Sequence, residues 1–65
     1  MPLIKVSCSK ITEPEKKEEL IKKLTMAASE VMGIAPSSYT VYIEEYEREN
    51  IGVGGKSLSA KDKGN

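Results

Sequence analysis

The sequence predicts an α+β fold, a β-α-β unit with parallel strands and a short C-terminal hairpin. Three observations lead there: strict alternation from Leu3 to Ser9, an apolar stripe at helical spacing from Leu20 to Met32, and renewed alternation from Tyr39 to Glu44. In the first run Ile4, Val6 and Cys8 fall on one side and Leu3, Lys5, Ser7 and Ser9 on the other, the period of a half-buried strand. Thr12-Glu13-Pro14-Glu15 then fits the S/T-x-x-E capping box, with Pro14 in the first turn, where its missing N–H leaves nothing unpaired. A helix is expected to start here. Its stripe is Leu20, Ile21, Leu24, Ala27, Ala28, Val31 and Met32, which leaves Lys16, Lys17, Lys22, Lys23 and Glu30 outside, and Gly33 can close it. Ala35-Pro36-Ser37-Ser38 supplies a turn, after which Tyr39, Val41 and Ile43 alternate with Thr40, Tyr42 and Glu44. Beyond lie a charged turn, Glu45 to Asn50, the glycine-rich Ile51-Gly52-Val53-Gly54-Gly55, and a polar tail over 57–65 that is expected to be flexible or ordered only by a neighbour. Strand, helix and strand make one right-handed crossover, so the two strands should be parallel.

The 65 residues hold a single domain, 1–65, and a lone domain of this size buries only about 60% of its unfolded surface. Chains this short gain stability from disulfides, metals or partner subunits. Cys8 is the only cysteine and there is no histidine, which excludes an internal disulfide and a zinc site of the usual Cys/His kind within one chain. Association of identical chains is the remedy left. Two strands also leave sheet edges and one face unsatisfied, so sheets of two subunits should join and the resulting dimers should stack their open faces. Ten basic and ten acidic residues are interspersed, which gives no field to attract nucleic acid. No apolar run reaches the roughly 20 residues that cross a bilayer, and no long apolar stretch of a secretory signal opens the chain. The expectation is a cytoplasmic protein without membrane or nucleic-acid partners.

Histidine, tryptophan and phenylalanine are absent, so the usual catalytic triads are ruled out. Cys8 shares its strand face with Ile4 and Val6 and reads as a small core residue. The distinctive feature is Pro2. Removal of Met1, normal before a small residue, would leave a secondary amine as the first atom of the first strand. An α-amine is a moderate base, with a reference pKa of about 8. Burial against apolar surface and nearby cations would disfavour the ammonium and lower that value toward neutral pH, while the rigid ring fixes the lone pair. Gly55-Lys56-Ser57 imitates the end of a phosphate-binding loop, but Asn50 stands where the motif needs its first glycine. Gly52, Gly54 and Gly55 therefore read as a turn or hairpin that packs against a neighbouring subunit and closes a pocket.

Taken together, Met1-Pro2 before an alternating strand, the Thr12-Glu13-Pro14-Glu15 helix start, the stripe from Leu20 to Met32, Ala35-Pro36 before the second strand and the run from Glu49 to Lys56 resemble the 4-oxalocrotonate tautomerase family over essentially the full length. The resemblance implies a β-α-β subunit, a homohexamer built as a trimer of dimers, and enol–keto tautomerisation of a small unsaturated oxo-acid without a cofactor or metal. It also implies Pro2 as the base that moves the proton. Two family arginines bind the carboxylate and polarise the carbonyl; their positions here are Thr12 and Thr40, and Ile51 stands at the family's aromatic pocket position. Arg48, the only arginine, is the first candidate to replace those cations, followed by Lys10 and Lys56, and each also reads as an ordinary solvated charge. Thr40 and Tyr42 share a strand face, so either hydroxyl could donate to an enolate oxygen, or Tyr42 could fill an inter-subunit core. Two other functions stay open. One is hydration or dehalogenation of a small unsaturated acid with Glu44 or Glu45 as the added acid; the other is a non-catalytic homologue serving assembly or binding.

Overall fold

The computed structural model describes residues 1–62. Strand β1 covers Leu3–Ser9, helix α1 Pro14–Met32 and strand β2 Thr40–Tyr46; a two-residue strand β3 at Gly52–Val53, another, β4, at Lys56–Ser57, and a short helix α2 at Leu58–Asp62 complete it. β1 and β2 pair in parallel, with Leu3 opposite Thr40 at one end and Ser9 opposite Tyr46 at the other. β3 and β4 pair antiparallel as the expected hairpin.

The helix starts differently from the expected capping box. Pro14 is its first residue, and a proline pushes the residue before it into extended backbone. Glu13, at φ −97° and ψ 117°, is therefore the N-cap, and its carbonyl accepts from Lys16 N–H at 3.0 Å and Lys17 N–H at 3.4 Å. Thr12 makes no capping bond and instead donates its hydroxyl to the Glu13 carboxylate at 3.1 Å. The far end follows expectation: Gly33 takes the left-handed conformation, φ 72°, and donates to Ser29 C=O at 2.9 Å.

The described part of the C-terminal region forms β4 and α2. Ser57 Oγ accepts from Ala60 N–H at 3.2 Å, a helix-capping bond, and Leu58 N–H donates to Ile51 C=O at 2.8 Å. Arg48 grips Asp62 through two guanidinium N–H groups, which ties α2 to the turn at Arg48–Asn50. Positions 63–65 of the expected tail lie outside the described residues. The hairpin turns on Gly54 and Gly55, at φ 63° and 85°, where side-chain-bearing residues are strained. Gly55→Ala is expected to cost about 1–2 kcal/mol, visible as a lower Tm at fixed protein concentration; an unchanged Tm would mean the turn can take another form.

Alternation sorts the sheet into two faces. Ile4, Val6, Cys8, Val41, Ile43 and Glu45 look toward α1 and are half-buried. Leu3, Lys5, Tyr42 and Tyr46 stand on the other face, where Leu3 is 54% and Tyr42 52% exposed. No hydrophobic side chain is fully buried among the described residues. The chain exposes 4935 Å², against about 4,100 Å² for a compact 7.1 kDa protein. Its radius of gyration is 15.3 Å, against about 11 Å for a compact chain of this length. A single copy has the elements of a fold without its interior. No helix among the described residues is long and apolar enough to cross a membrane.

Candidate active site

The parallel ladder runs one residue past β1: Thr40 N–H donates to Pro2 C=O at 3.1 Å, which pins Pro2 at the end of the sheet. Pro2 is half-buried, and Met1 beyond it is 99% exposed. While Met1 is attached, the Pro2 nitrogen is a tertiary amide with no basic lone pair, so any role as base requires its removal. Thr40 flanks this end, with Oγ1 3.9 Å from Met1 Sδ. Tyr42 lies two residues along the same face, opposite Lys5. Of the residues singled out in the sequence, one chain thus gathers Pro2, Thr40 and Tyr42.

The rest lie elsewhere. Because β1 and β2 are parallel, the segments that follow both strands emerge at the opposite end of the sheet, about 20 Å from Pro2 at the usual rise per residue. Lys10, Thr12, Arg48 and Ile51 all belong to those segments. Lys10 is 3.3 Å from Glu47. The hydrogen bonds from Arg48 hold the Asp62 carboxyl below its usual range and raise the guanidinium further. The first candidate for a substrate cation is therefore engaged by its own chain. A groove of about 310 Å³ at this end is lined by Ser7, Cys8, Ser9, Tyr46, Ile51 and Leu58, and another of about 370 Å³ runs along α1 beside Ile11 and Leu20. Neither touches Pro2.

Glu45 does not suit the role of a protonated acid. It faces α1, 2.8 Å from Lys17 Nζ, and accepts from Ile11 N–H at 2.7 Å. The Lys17 bond first, and the Ile11 N–H second, hold its carboxyl below the usual range. Such a group stabilises the fold above the unfolded carboxyl pKa, about 4.3, and the contribution is lost as pH falls through the lower folded value. Glu45→Gln is expected to lower Tm at pH 7, and the gap from wild type should close as pH falls below about 4; a gap independent of pH would mean that the charge is not what matters. Glu44, on the open face, accepts from Ser7 Oγ at 2.9 Å and lies 3.7 Å from Lys5.

Sequence reasoning passed over Tyr39. Its hydroxyl is buried without a hydrogen-bond partner. The signal was present, since Tyr39 occupies a slot in an alternation otherwise filled by the aliphatic Val41 and Ile43. Among the described residues no three His, Cys, Asp or Glu side chains gather where a metal ion could sit.

A parallel β-α-β unit that carries a proline just ahead of its first strand, leaves one sheet face open and has a glycine-turned hairpin after its second strand has the fold of the small 4-oxalocrotonate tautomerase-like proteins. The sequence pattern of the family described as "Tautomerase enzyme" matches residues 2–61, and the chain belongs to that family. It is 38% identical over 61 residues to a probable tautomerase of Bacillus cereus, a match that covers 94% of this chain and all of that one. It is 34% identical over 59 residues to the 2-hydroxymuconate tautomerase of Bacillus subtilis, covering 91% and 95%. Among solved structures it superposes with a TM-score of 0.90 on TomN, a 4-oxalocrotonate tautomerase homologue of the tomaymycin biosynthetic pathway, at 32% identity and 95% coverage of both chains.

Proposed function

We propose that the chain is a cofactor-independent tautomerase of the cytoplasm that interconverts the enol and keto forms of a small unsaturated oxo-acid, with the freed Pro2 amine as general base. The observation that carries this reading is the bond from Thr40 N–H to Pro2 C=O, which holds residue 2 on the rigid sheet. In the ketonising direction the neutral amine takes the enol O–H proton while the electron pair moves through the conjugated system. The ammonium then returns a proton to carbon, so base and substrate end with the protons they began with. Thr40, whose N–H holds the Pro2 carbonyl, and Tyr42 present hydroxyl donors on the open face at this end of the sheet, the face opposite the Pro2 ring, for the oxygen on which charge develops.

The absence of a buried hydrophobic core among the described residues supports an assembled active form, for which a homohexamer built as a trimer of dimers is the proposal. Lys10, Arg48, Lys56 and Ile51 of one copy would then complete the Pro2 pocket of another. In that arrangement Arg48 exchanges Asp62 for the substrate carboxylate, whereas Lys10 and Lys56 act as point charges. The test is ketonisation of 2-hydroxymuconate by protein whose mass confirms the loss of Met1. Turnover well above the buffer rate is expected; a rate equal to buffer in assembled, Met1-free protein would overturn the proposal.

A further inference from the structure

The Tyr39 hydroxyl is the only side-chain polar atom found buried and unpaired among the described residues. Such groups are uncommon in folded proteins, and each calls for a physical account. Tyr39 follows the tight turn at Pro36–Ser38 in extended backbone, at φ −92° and ψ 144°. The pairing of Leu3 with Thr40, extended by Thr40 N–H to Pro2 C=O, sets Tyr39 level with Pro2. Alternation places Tyr39 with Val41 and Ile43 on the helix-facing side, and Pro2 with Ile4 and Val6 on that same side. An unsatisfied hydroxyl and the ring of residue 2 therefore belong to one face at one end of the sheet.

Removal of Met1 turns the nitrogen of Pro2, a half-buried residue, from an amide without hydrogen-bonding capacity into an amine that can accept a hydrogen bond. We propose that Tyr39 is the positioning residue for Pro2, its hydroxyl donating to the lone pair of the neutral amine in the Met1-free protein. The bond orients the ring and favours the neutral form over the ammonium. Among the described residues, the titratable groups on the neighbouring elements face elsewhere. Lys5, Tyr42 and Glu44 stand on the open face, with Lys5 and Glu44 paired at 3.7 Å. Glu30 is on the exposed side of α1, and the Pro36–Ser38 turn carries no ionisable side chain.

The inference rests on Pro2 as the base, and its test is chosen to fail separately from that reading. Met1-free protein labelled with ¹⁵N-proline is titrated by NMR as wild type and as Tyr39→Phe, alongside Tm and the pH dependence of kcat/KM for ketonisation. In Tyr39→Phe the Pro2 nitrogen is expected to titrate about 0.5 unit higher or more, a roughly three-fold gain in proton affinity. The acid limb of kcat/KM should move with it while KM stays nearly constant. An unchanged titration and pH profile together with a raised Tm would overturn the inference, because deleting a merely orphaned hydroxyl relieves the fold and does nothing else. A shifted titration in protein without Pro2-dependent turnover would keep the hydrogen bond and discard the base.

Discussion

A carboxylate placed on the open sheet face, by Leu3→Asp or Tyr42→Asp, is expected to leave the chain unfolded at micromolar concentration and not as a folded monomer. The reason is the missing interior. Leu3, Tyr42 and Tyr46 lie bare on one face of the sheet, and Val31, at 86% exposure, and Met32 lie bare at the end of α1. Each such side chain contributes about 1.5–3 kcal/mol only when a neighbour covers it. For a chain whose net stability is at most about 10 kcal/mol, a charge that blocks several of these contacts at once removes most of it. Sedimentation and far-UV circular dichroism check this together. Wild type should sediment as a multiple of 7.1 kDa with its helix intact and a Tm that rises with concentration, and the variants should lose both mass and helix. A folded wild-type monomer with a concentration-independent Tm would contradict the argument.

Pro2→Ala in Met1-free protein is expected to lower kcat/KM for enol ketonisation by 100-fold or more, about 2.7 kcal/mol of transition-state stabilisation. Alanine keeps a terminal amine, so the loss measures what the ring adds. Without the ring the amine rotates freely about its bond to Cα, and as a better-solvated primary amine, with a reference pKa of about 8, it is mostly protonated at neutral pH. The ladder bond from Thr40 N–H goes to the carbonyl of residue 2 and survives the change, so assembly and circular dichroism should be unaltered. Equal rates for the two proteins would leave the tautomerase likeness as a statement about fold.

Much of the fold was legible because its signals are local. The alternation of Leu3 to Ser9, the helical stripe, Gly33 as a cap and the Gly54-Gly55 turn each report the conformation of their own few residues. The departures came where a neighbour decides. Pro14 moved the cap from Thr12 to Glu13 through its clash with the preceding backbone. Glu45 and Tyr46 read as a charged turn yet extend β2, since Lys17 and Ile11 N–H satisfy a carboxylate on the helix side of the sheet. Helix α2, five residues long, shows no periodicity and is held by Ser57, Ile51 and Arg48.

The candidate site divides the same way. Pro2 is legible as the second residue of the chain, and Thr40 beside it follows once the strands are known to be parallel. That Lys10, Arg48 and Ile51 stand at the other end of the sheet follows from the register and from no composition or motif. Tyr39 was legible only as the one aromatic in an aliphatic alternation; that its hydroxyl is left unpaired follows from the packing around it.

The most direct measurement compares this sequence with and without Met1, two proteins that differ at the Pro2 nitrogen and share every other side chain. With both confirmed by intact mass and shown to assemble alike, the Met1-free form is predicted to ketonise 2-hydroxymuconate at least about 100-fold faster, because only it carries a basic lone pair on the Pro2 nitrogen, the Met1 amine of the other form lying one residue beyond. Equal rates in the two forms would contradict the role of Pro2 as base.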